Sequence, residues 1–454
     1  MRSVAPKGVF DSIIDADILN KAIKEDALNE DEVFAKAIII ESELRTTLNW
    51  FAIGDRHLCR GAAATGFFHP RSRQSEETSY VQMVHGLTLE AEFWLNEIRT
   101  KAINLVINGP PLVNATARVL KIPYRMMYSS KTEDFHYWAT ASTSENPNVQ
   151  RAFNMLMDVP ALAKDMKPYA SHLLIRDKQI KGVGFTSFMR HTAVAITNQL
   201  IWKLRGDQRA QEYYLLSRLG HILRKWKAGR LLGQGPGLAD LDGLRYVFFP
   251  LQTDPETSLQ GLSPEFFFQH SAIIALSRDL PAGVKLVIKD CMEVLGRRSP
   301  HFHDQLRDLK NVILVDTLEF GIEIVKKSAA VASISSTAAF EAAVMGKPVI
   351  SFGRHNVFGF LPHVYNVKDI GNLKPEIASA LSRKFDHKKA LNDGAKFLQA
   401  VVDTSFRMRE YDSDPLKVSN PQSVEDAMSF LIESLELNEP PLPAAMENEP
   451  SGGG

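Results

Sequence analysis

From Arg245 onward, short apolar runs alternate with stretches whose apolar residues return every three or four positions, which predicts strands separated by amphipathic helices. Tyr246 to Phe249, Val284 to Ile288, Val312 to Val315 and Ala330 to Ile334 read as buried strands. Pro264 to Arg278, Ser299 to Leu309 and Phe320 to Lys327 read as the helices between them. After the fourth strand, Ser335, Ser336 and Thr337 interrupt the apolar run with hydroxyls. A helix capped by Ser336 or Thr337 is predicted over Ala338 to Met345, ended by Gly346 and kept from continuing by Pro348, before another strand at Val349 to Phe352. Alternation of this kind predicts a parallel, doubly wound sheet, whose ligand crevice lies outside the carboxyl ends of its strands.

The first half is less regular. Phe10 to Ala35 has helical spacing and reads as a cover, and the run Lys36 to Ile40 (KAIII) reads as a buried strand leading into Glu41, Ser42, Glu43 and Arg45. A second passage follows, with a helix at Thr88 to Arg99, a strand at Ile103 to Ile107, a helix at Val113 to Leu120 and a strand at Ile122 to Met127. Strand ends in this half make Glu41, Arg45, Asn108, Ser129 and Ser130 cleft candidates, together with Glu133, Asp134 and His136. Phe185 to Leu232 reads as helical throughout, with basic residues among the apolar ones, as in LSRLGHILRKWKAGRLL. That pattern suits a solvated helix face near a domain boundary, and it also suits a helix lying on lipid. Gly233-Gln234-Gly235-Pro236-Gly237 has no preceding strand and carries a proline, so it reads as an interdomain hinge rather than a dinucleotide loop. The predicted division is therefore 1–235, 236–435 with a closing helix at Val424 to Leu435, and a disordered tail over 436–454.

Composition narrows the class. A chain of 454 residues with 44% apolar residues has ample material for two or three domains, and its Asp+Glu and Lys+Arg both number 53, so nothing attracts it globally to nucleic acid or anionic lipid. Any phosphate binding must be local. Two cysteines, Cys59 and Cys291, exclude a disulfide framework and a cysteine zinc cluster and suit a reducing compartment. No run is long enough for a spanning helix and the first residues lack a secretory core, so a cytoplasmic protein is expected, with peripheral contact at the inner membrane left open.

The bend at Ser335 to Thr337 carries the clearest chemistry. A strand, a hydroxyl loop and a helix N-terminus present backbone N–H groups and the positive end of a helix dipole at a sheet edge, where anions bind. Glu341 lies one turn into an otherwise small and apolar helix; burying a lone carboxylate costs on the order of several kcal/mol unless a cation or a ligand's hydroxyls offset it. The alternative is purely structural, with the serines as a cap and Glu341 paired to a lysine.

Four blocks then carry a resemblance: YVFFPLQTDPE at Tyr246 to Glu256, LPAGVKLVIKD at Leu280 to Asp290, KNVILV at Lys310 to Val315, and SISSTAAFEAAVMGKPVISFG at Ser333 to Gly353. Their order and spacing resemble the capsule polysaccharide biosynthesis family of bacterial glycosyltransferase-like proteins; the first half matches only loosely, around INGPPLVNATARVLKIPYR. The resemblance implies a GT-B-like fold of two Rossmann-like domains facing a cleft. It also implies transfer of a sugar from a nucleotide-sugar donor to a saccharide or glycolipid acceptor of surface or capsular polysaccharide, without a metal or a separate cofactor. Donor contacts are expected from Gln252, Glu256 and Lys289, from Ser335, Ser336 and Thr337, and from Glu341. The acceptor's proton would pass to a base among Glu133, Asp134 and His136. One departure stands out, since Cys291-Met292 occupies the place where the pattern has His or Asn followed by Pro. In the sister sialyltransferases and Kdo transferases a His-Pro pair contacts the nucleotide, so a non-catalytic sugar-nucleotide-binding protein is one alternative; a nucleotide-sugar epimerase on the same architecture is the other. His69-Pro70 sits in the wrong half to replace it.

Other motifs are weaker. Asp15-x-Asp17, Asp240-x-Asp242 and Asp412-x-Asp414 fall on a helix, a linker and a loop rather than at strand ends. His301 and His303 diverge on the helix expected there, so no metal site is assigned.

Overall fold

The computed structural model describes residues 14, 17–25, 28–55, 58, 73–132, 134–157, 169–206, 214–253, 259, 261–266, 268–298, 300–408 and 420–436. Two sheets organise it. The larger has six parallel strands: β4 (Arg245–Pro250), β5 (Val284–Lys289), β6 (Val312–Val315), β7 (Ala330–Ser333), β8 (Val349–Ser351) and β9 (Val364–Asn366). They lie in the order β6-β5-β4-β7-β8-β9. This is the doubly wound order, in which the winding reverses between β4 and β7 and leaves a crevice at their carboxyl ends. The α/β class is therefore as expected, and the strands from β4 to β8 fall within a few residues of their predicted positions.

Alternation within β4 shows why both faces of this sheet are dry. Val247 and Phe249 enter one core with Leu286, Ile288 and Ala332 under the helices Gln269–Asp279 and Lys374–Ala380. Tyr246 and Phe248 enter the other with Val287, Phe340 and Phe397 under Thr337–Val344 and His387–Asp403. A strand covered on both faces must be apolar at every position, which is why these runs were legible. Gly346 ends its helix at φ +65, and a Cβ there would overlap the backbone of Leu391. Only glycine suits that backbone at that distance.

The smaller sheet has four strands in the order β1-β2-β3-β10, made by β1 (Val106–Ile107), β2 (Tyr124–Ser129), β3 (Phe135–Ala139) and β10 (Phe406–Arg407). β1 and β2 are parallel and joined through the helix Pro111–Val119, a single βαβ unit; β3 is antiparallel to β2, and β10 is antiparallel to β3. The chain thus returns from the second lobe to finish the first. The closing helix Pro421–Glu436 packs there too. The guanidinium of Arg125, 1% exposed, donates to Ser434 Oγ (2.8 Å) and Ser434 O (2.7 Å), and Trp138 Nε1 donates to Ala427 O (2.8 Å).

One expectation fails outright. Lys36 to Ile40 is not a strand but the middle of the helix Glu30–Leu44. Asn29 caps it by accepting from Asp31 N, Glu30, Asp31 and Glu32 favour its positive end, and Val33, Ala37, Ile40 and Leu44 form its buried stripe. Ile38 and Ile39 are 65% and 67% exposed. A β-branched run is overridden because the cap and the helical stripe are both satisfied. Glu41 and Arg45 consequently sit at a helix end, where Glu41 Oε1 accepts from Leu48 N (2.7 Å) and Arg45 adopts the left-handed cap conformation. They are not strand-end cleft residues. The segment expected to be continuously helical divides into Phe185–Leu204 and Leu215–Gly229.

Candidate functional site

The crevice between β4 and β7 is where the hydroxyl bend lies. Ser333 ends β7, and its Oγ donates to Ser336 Oγ (2.6 Å) and accepts from Ser336 N (3.1 Å); Ser336 in turn caps the helix Thr337–Val344 by accepting from Ala339 N (3.2 Å). Across the crevice, Gln252 follows β4 and is buried. With its carboxamide turned so that both ends find partners, the oxygen accepts from the N–H groups of Ser335 and Ser336, each at 2.8 Å, and the nitrogen donates to Ser335 Oγ at 2.9 Å. Two of the N–H groups read from the sequence as anion donors are therefore already taken.

This divides the hydroxyl trio into different jobs. Ser335 is buried and tied to Gln252, Ser336 is half-buried and acts as the cap, and Thr337 is exposed at the first turn of the helix. Among the described residues, the N–H groups of Thr337 and Ala338 have no hydrogen-bond partner, so the positive end of the helix is presented through them and the Thr337 hydroxyl. Glu341, further along the same helix, is half-buried.

The facing lobe contributes a residue that the sequence reading missed. Lys131, in the turn between β2 and β3, has φ +65, and its Nζ donates to Ser335 O at 3.0 Å. It brings a cation to the bend from the carboxyl end of β2. The Ser-Ser-Lys run at a strand end was the available signal. A second pair crosses between the lobes nearby: His355 Nδ1 and Glu145 Oε1 lie 2.7 Å apart, with Ser144 Oγ 3.5 Å from His355 O. Asn356 ties the His355 loop to the bend by donating to Ile334 O at 2.7 Å. A histidine held by a carboxylate at one ring nitrogen is the usual arrangement of an oriented base.

Of the expected bases, Asp134 Oδ1 lies 3.3 Å from Arg407 NH1, and its backbone oxygen accepts from Met408 N (3.0 Å). His136 is buried within β3 with Nδ1 3.1 Å from Asp134 O. Both contribute to the seam between β3 and β10. Glu133, Asp254 and Glu256 lie outside the described residues.

The end of β5 carries a separate polar network. Lys289 reaches the same sheet edge on the far side of β4 from the bend, roughly 10 Å away by strand spacing. Its Nζ donates to Asp290 O (3.0 Å), and burial lowers its pKa. Asp290 lies 2.8 Å from Arg298 Nε and 3.1 Å from His303 Nε2. Burial pushes its carboxyl pKa up, but the Arg298 charge and His303 outweigh this and hold it below the ordinary value. Arg298 also donates to Gln252 O (2.5 Å), so the network reaches the crevice. Burial raises the Cys291 thiol to about 11, and its Sγ lies 3.2 Å from Thr253 Oγ1, which makes it an inert packing group at the position where the family pattern has His or Asn.

No family model matches the chain, and no curated protein matches it. Among solved structures it is similar to the KpsC β-Kdo 2,4-transferase of Thermosulfurimonas dismutans, with 14% identity over 61% of this chain and 78% of that one and a TM-score of 0.31. It is also similar to the Methanocaldococcus jannaschii UDP-GlcNAc 2-epimerase in complex with UDP-GlcNAc and UDP (9% identity, 70% and 82% covered, TM-score 0.25). A third is the Streptomyces nogalater glycosyltransferase SnogD (15% identity, 44% and 48% covered, TM-score 0.24). At identities and scores this low, the α/β assignment stands on the strand order of the chain itself.

Proposed function

We propose that this protein is a metal-independent glycosyltransferase that moves a sugar from a nucleotide-sugar donor to a saccharide or glycolipid acceptor. The observation that carries the reading is the N-terminus of Thr337–Val344 at the reversal point of a doubly wound sheet, with Lys131 reaching it from the facing lobe. Donor phosphate would meet Thr337 N, Ala338 N and the Thr337 hydroxyl, with Lys131 neutralising charge as it develops on the leaving group. Glu341 would accept from ribose hydroxyls, and Lys289 would contact the far end of the donor. Gln252, Ser335 and Ser336 would set the shape of the bend rather than hold the donor alone. For the base, the His355–Glu145 pair suits the task better than Asp134 or His136, because a carboxylate of the facing lobe orients the imidazole, whereas Asp134 and His136 are engaged in the seam between β3 and β10.

Thermal-shift measurements with CMP, UDP and GDP, followed by donor hydrolysis, test this reading. Stabilisation by one nucleotide, reduced in Thr337→Ala and Lys131→Ala, is the expected result. His355→Gln should keep that stabilisation and lose hydrolysis. Stabilisation without hydrolysis in the wild type would favour the non-catalytic binding protein that Cys291-Met292 suggests. Exchange at the sugar's carbon without transfer would favour an epimerase. No stabilisation by any of the three would end the proposal.

A further inference from the structure

The helices Phe185–Leu204 and Leu215–Gly229 stand apart from both cores. The first buries only Ala195, and the second buries no residue. They hold each other through Phe188 and Trp226, whose rings stack at 5.1 Å, and they meet the second lobe where Gly296 lies against the backbone of Lys225. What they leave outward is apolar. Phe185, Met189, Ile196, Leu200 and Leu204 are 60%, 51%, 39%, 57% and 87% exposed. At about 100° per residue these five positions fall within an arc of roughly 100°, a continuous stripe along one side of the helix. The Trp226 contact borders the stripe at its start, where Phe185 also meets that ring at 6.1 Å between centroids.

Charge distinguishes this surface from an ordinary interface. Residues 185–235 contain nine lysines and arginines against two acids, Asp207 and Glu212, in a chain whose charges balance overall. Two acids from other elements meet the inner side: Glu293, which acts on Lys225 and accepts from Gln179 (2.6 Å), and Glu77, which accepts from the Tyr214 hydroxyl (2.7 Å). Lys203 lies on the stripe itself, and Arg205 follows the end of the helix. A second copy of this chain would bring like charge against like charge here, whereas an anionic lipid surface would complement both the charge and the stripe. Among the described residues no helix is long and apolar enough to cross a membrane, so any contact is parallel to the surface.

We propose that the Phe185–Leu204 helix is a docking element for an anionic phospholipid bilayer, lying in the interface with its apolar stripe among the acyl chains and its flanking cations among the phosphates. The inference does not depend on the reaction assigned to the crevice.

Flotation of the full-length protein with vesicles of phosphatidylcholine, and of phosphatidylcholine mixed with phosphatidylglycerol, tests it. The protein should float only with the mixed vesicles, and less as salt is raised. Leu200→Ser/Leu204→Ser and, separately, Lys203→Glu/Arg205→Glu should each reduce binding about tenfold or more, since each basic residue near such a surface contributes about fivefold. Both pairs are exposed, so circular dichroism and nucleotide thermal shifts should match the wild type. Undiminished flotation of both double variants would overturn the proposal, as would equal flotation with neutral vesicles. So would full competition by inorganic phosphate, which would indicate a soluble anion, or a dimer in solution that the Leu200→Ser/Leu204→Ser variant dissociates.

Discussion

The two lobes hold themselves together in different ways. In the second, each strand of β4 to β8 finds its neighbours within about a hundred residues, and the inner strands β4, β5, β7 and β8 are covered on both faces, so local apolar runs are enough to announce them. In the first, the sheet is completed by β10, and Arg125 of β2 bonds to Ser434, 309 residues away. One lobe is specified by the spacing of its apolar residues, and the other by contacts whose partners lie hundreds of residues away in the chain.

The sharpest way to break this contrast is at Arg298. Replacing it with methionine leaves Asp290 buried without its main counter-charge and should cost about 4 kcal/mol in urea unfolding. In the wild type, the folded pKa of Asp290 lies below its unfolded value near about 4, so its contribution is complete above that pH and fades as acid protonates the carboxylate. The difference between wild type and Arg298→Met should therefore shrink below pH about 4; a pH-independent difference would contradict the pairing. Next comes Gly346→Val, which puts a side chain at positive φ against the Leu391 backbone. It should cost about 3 kcal/mol by the same measurement.

Arg125→Met tests the first lobe. Losing its bonds to Ser434 should cost about 2 kcal/mol. Hydrogen exchange should quicken in 421–436 while β4 to β8 stay protected; if both lobes loosen together, the contrast between them is wrong. The smallest effect belongs to Ile39→Lys. On an exposed helix position it should change stability by less than about 0.5 kcal/mol, whereas a buried strand would not tolerate it.

The site divides along similar lines. Gln252, Lys289 and the Ser335–Thr337 bend all lie at the carboxyl edge of the second sheet, where strand order puts them. Lys131 and the His355–Glu145 pair were not singled out, because each depends on a loop of the opposite lobe arriving at the bend. No spacing within one segment encodes that meeting.

By itself, the sequence determined the strands from β4 to β8 and the helices between them, the capped helix at Ser336 and its glycine stop, because each follows from apolar period, cap chemistry or backbone freedom within a few residues. Tertiary structure decided three things. It made Lys36 to Ile40 part of a helix with two isoleucines in solvent, it brought β10 and the last helix back to the first sheet, and it turned the Gln252 carboxamide onto the N–H groups of Ser335 and Ser336. Each of these is settled by which groups compete for the same surface or the same hydrogen bond, and those competitors are distant in the chain.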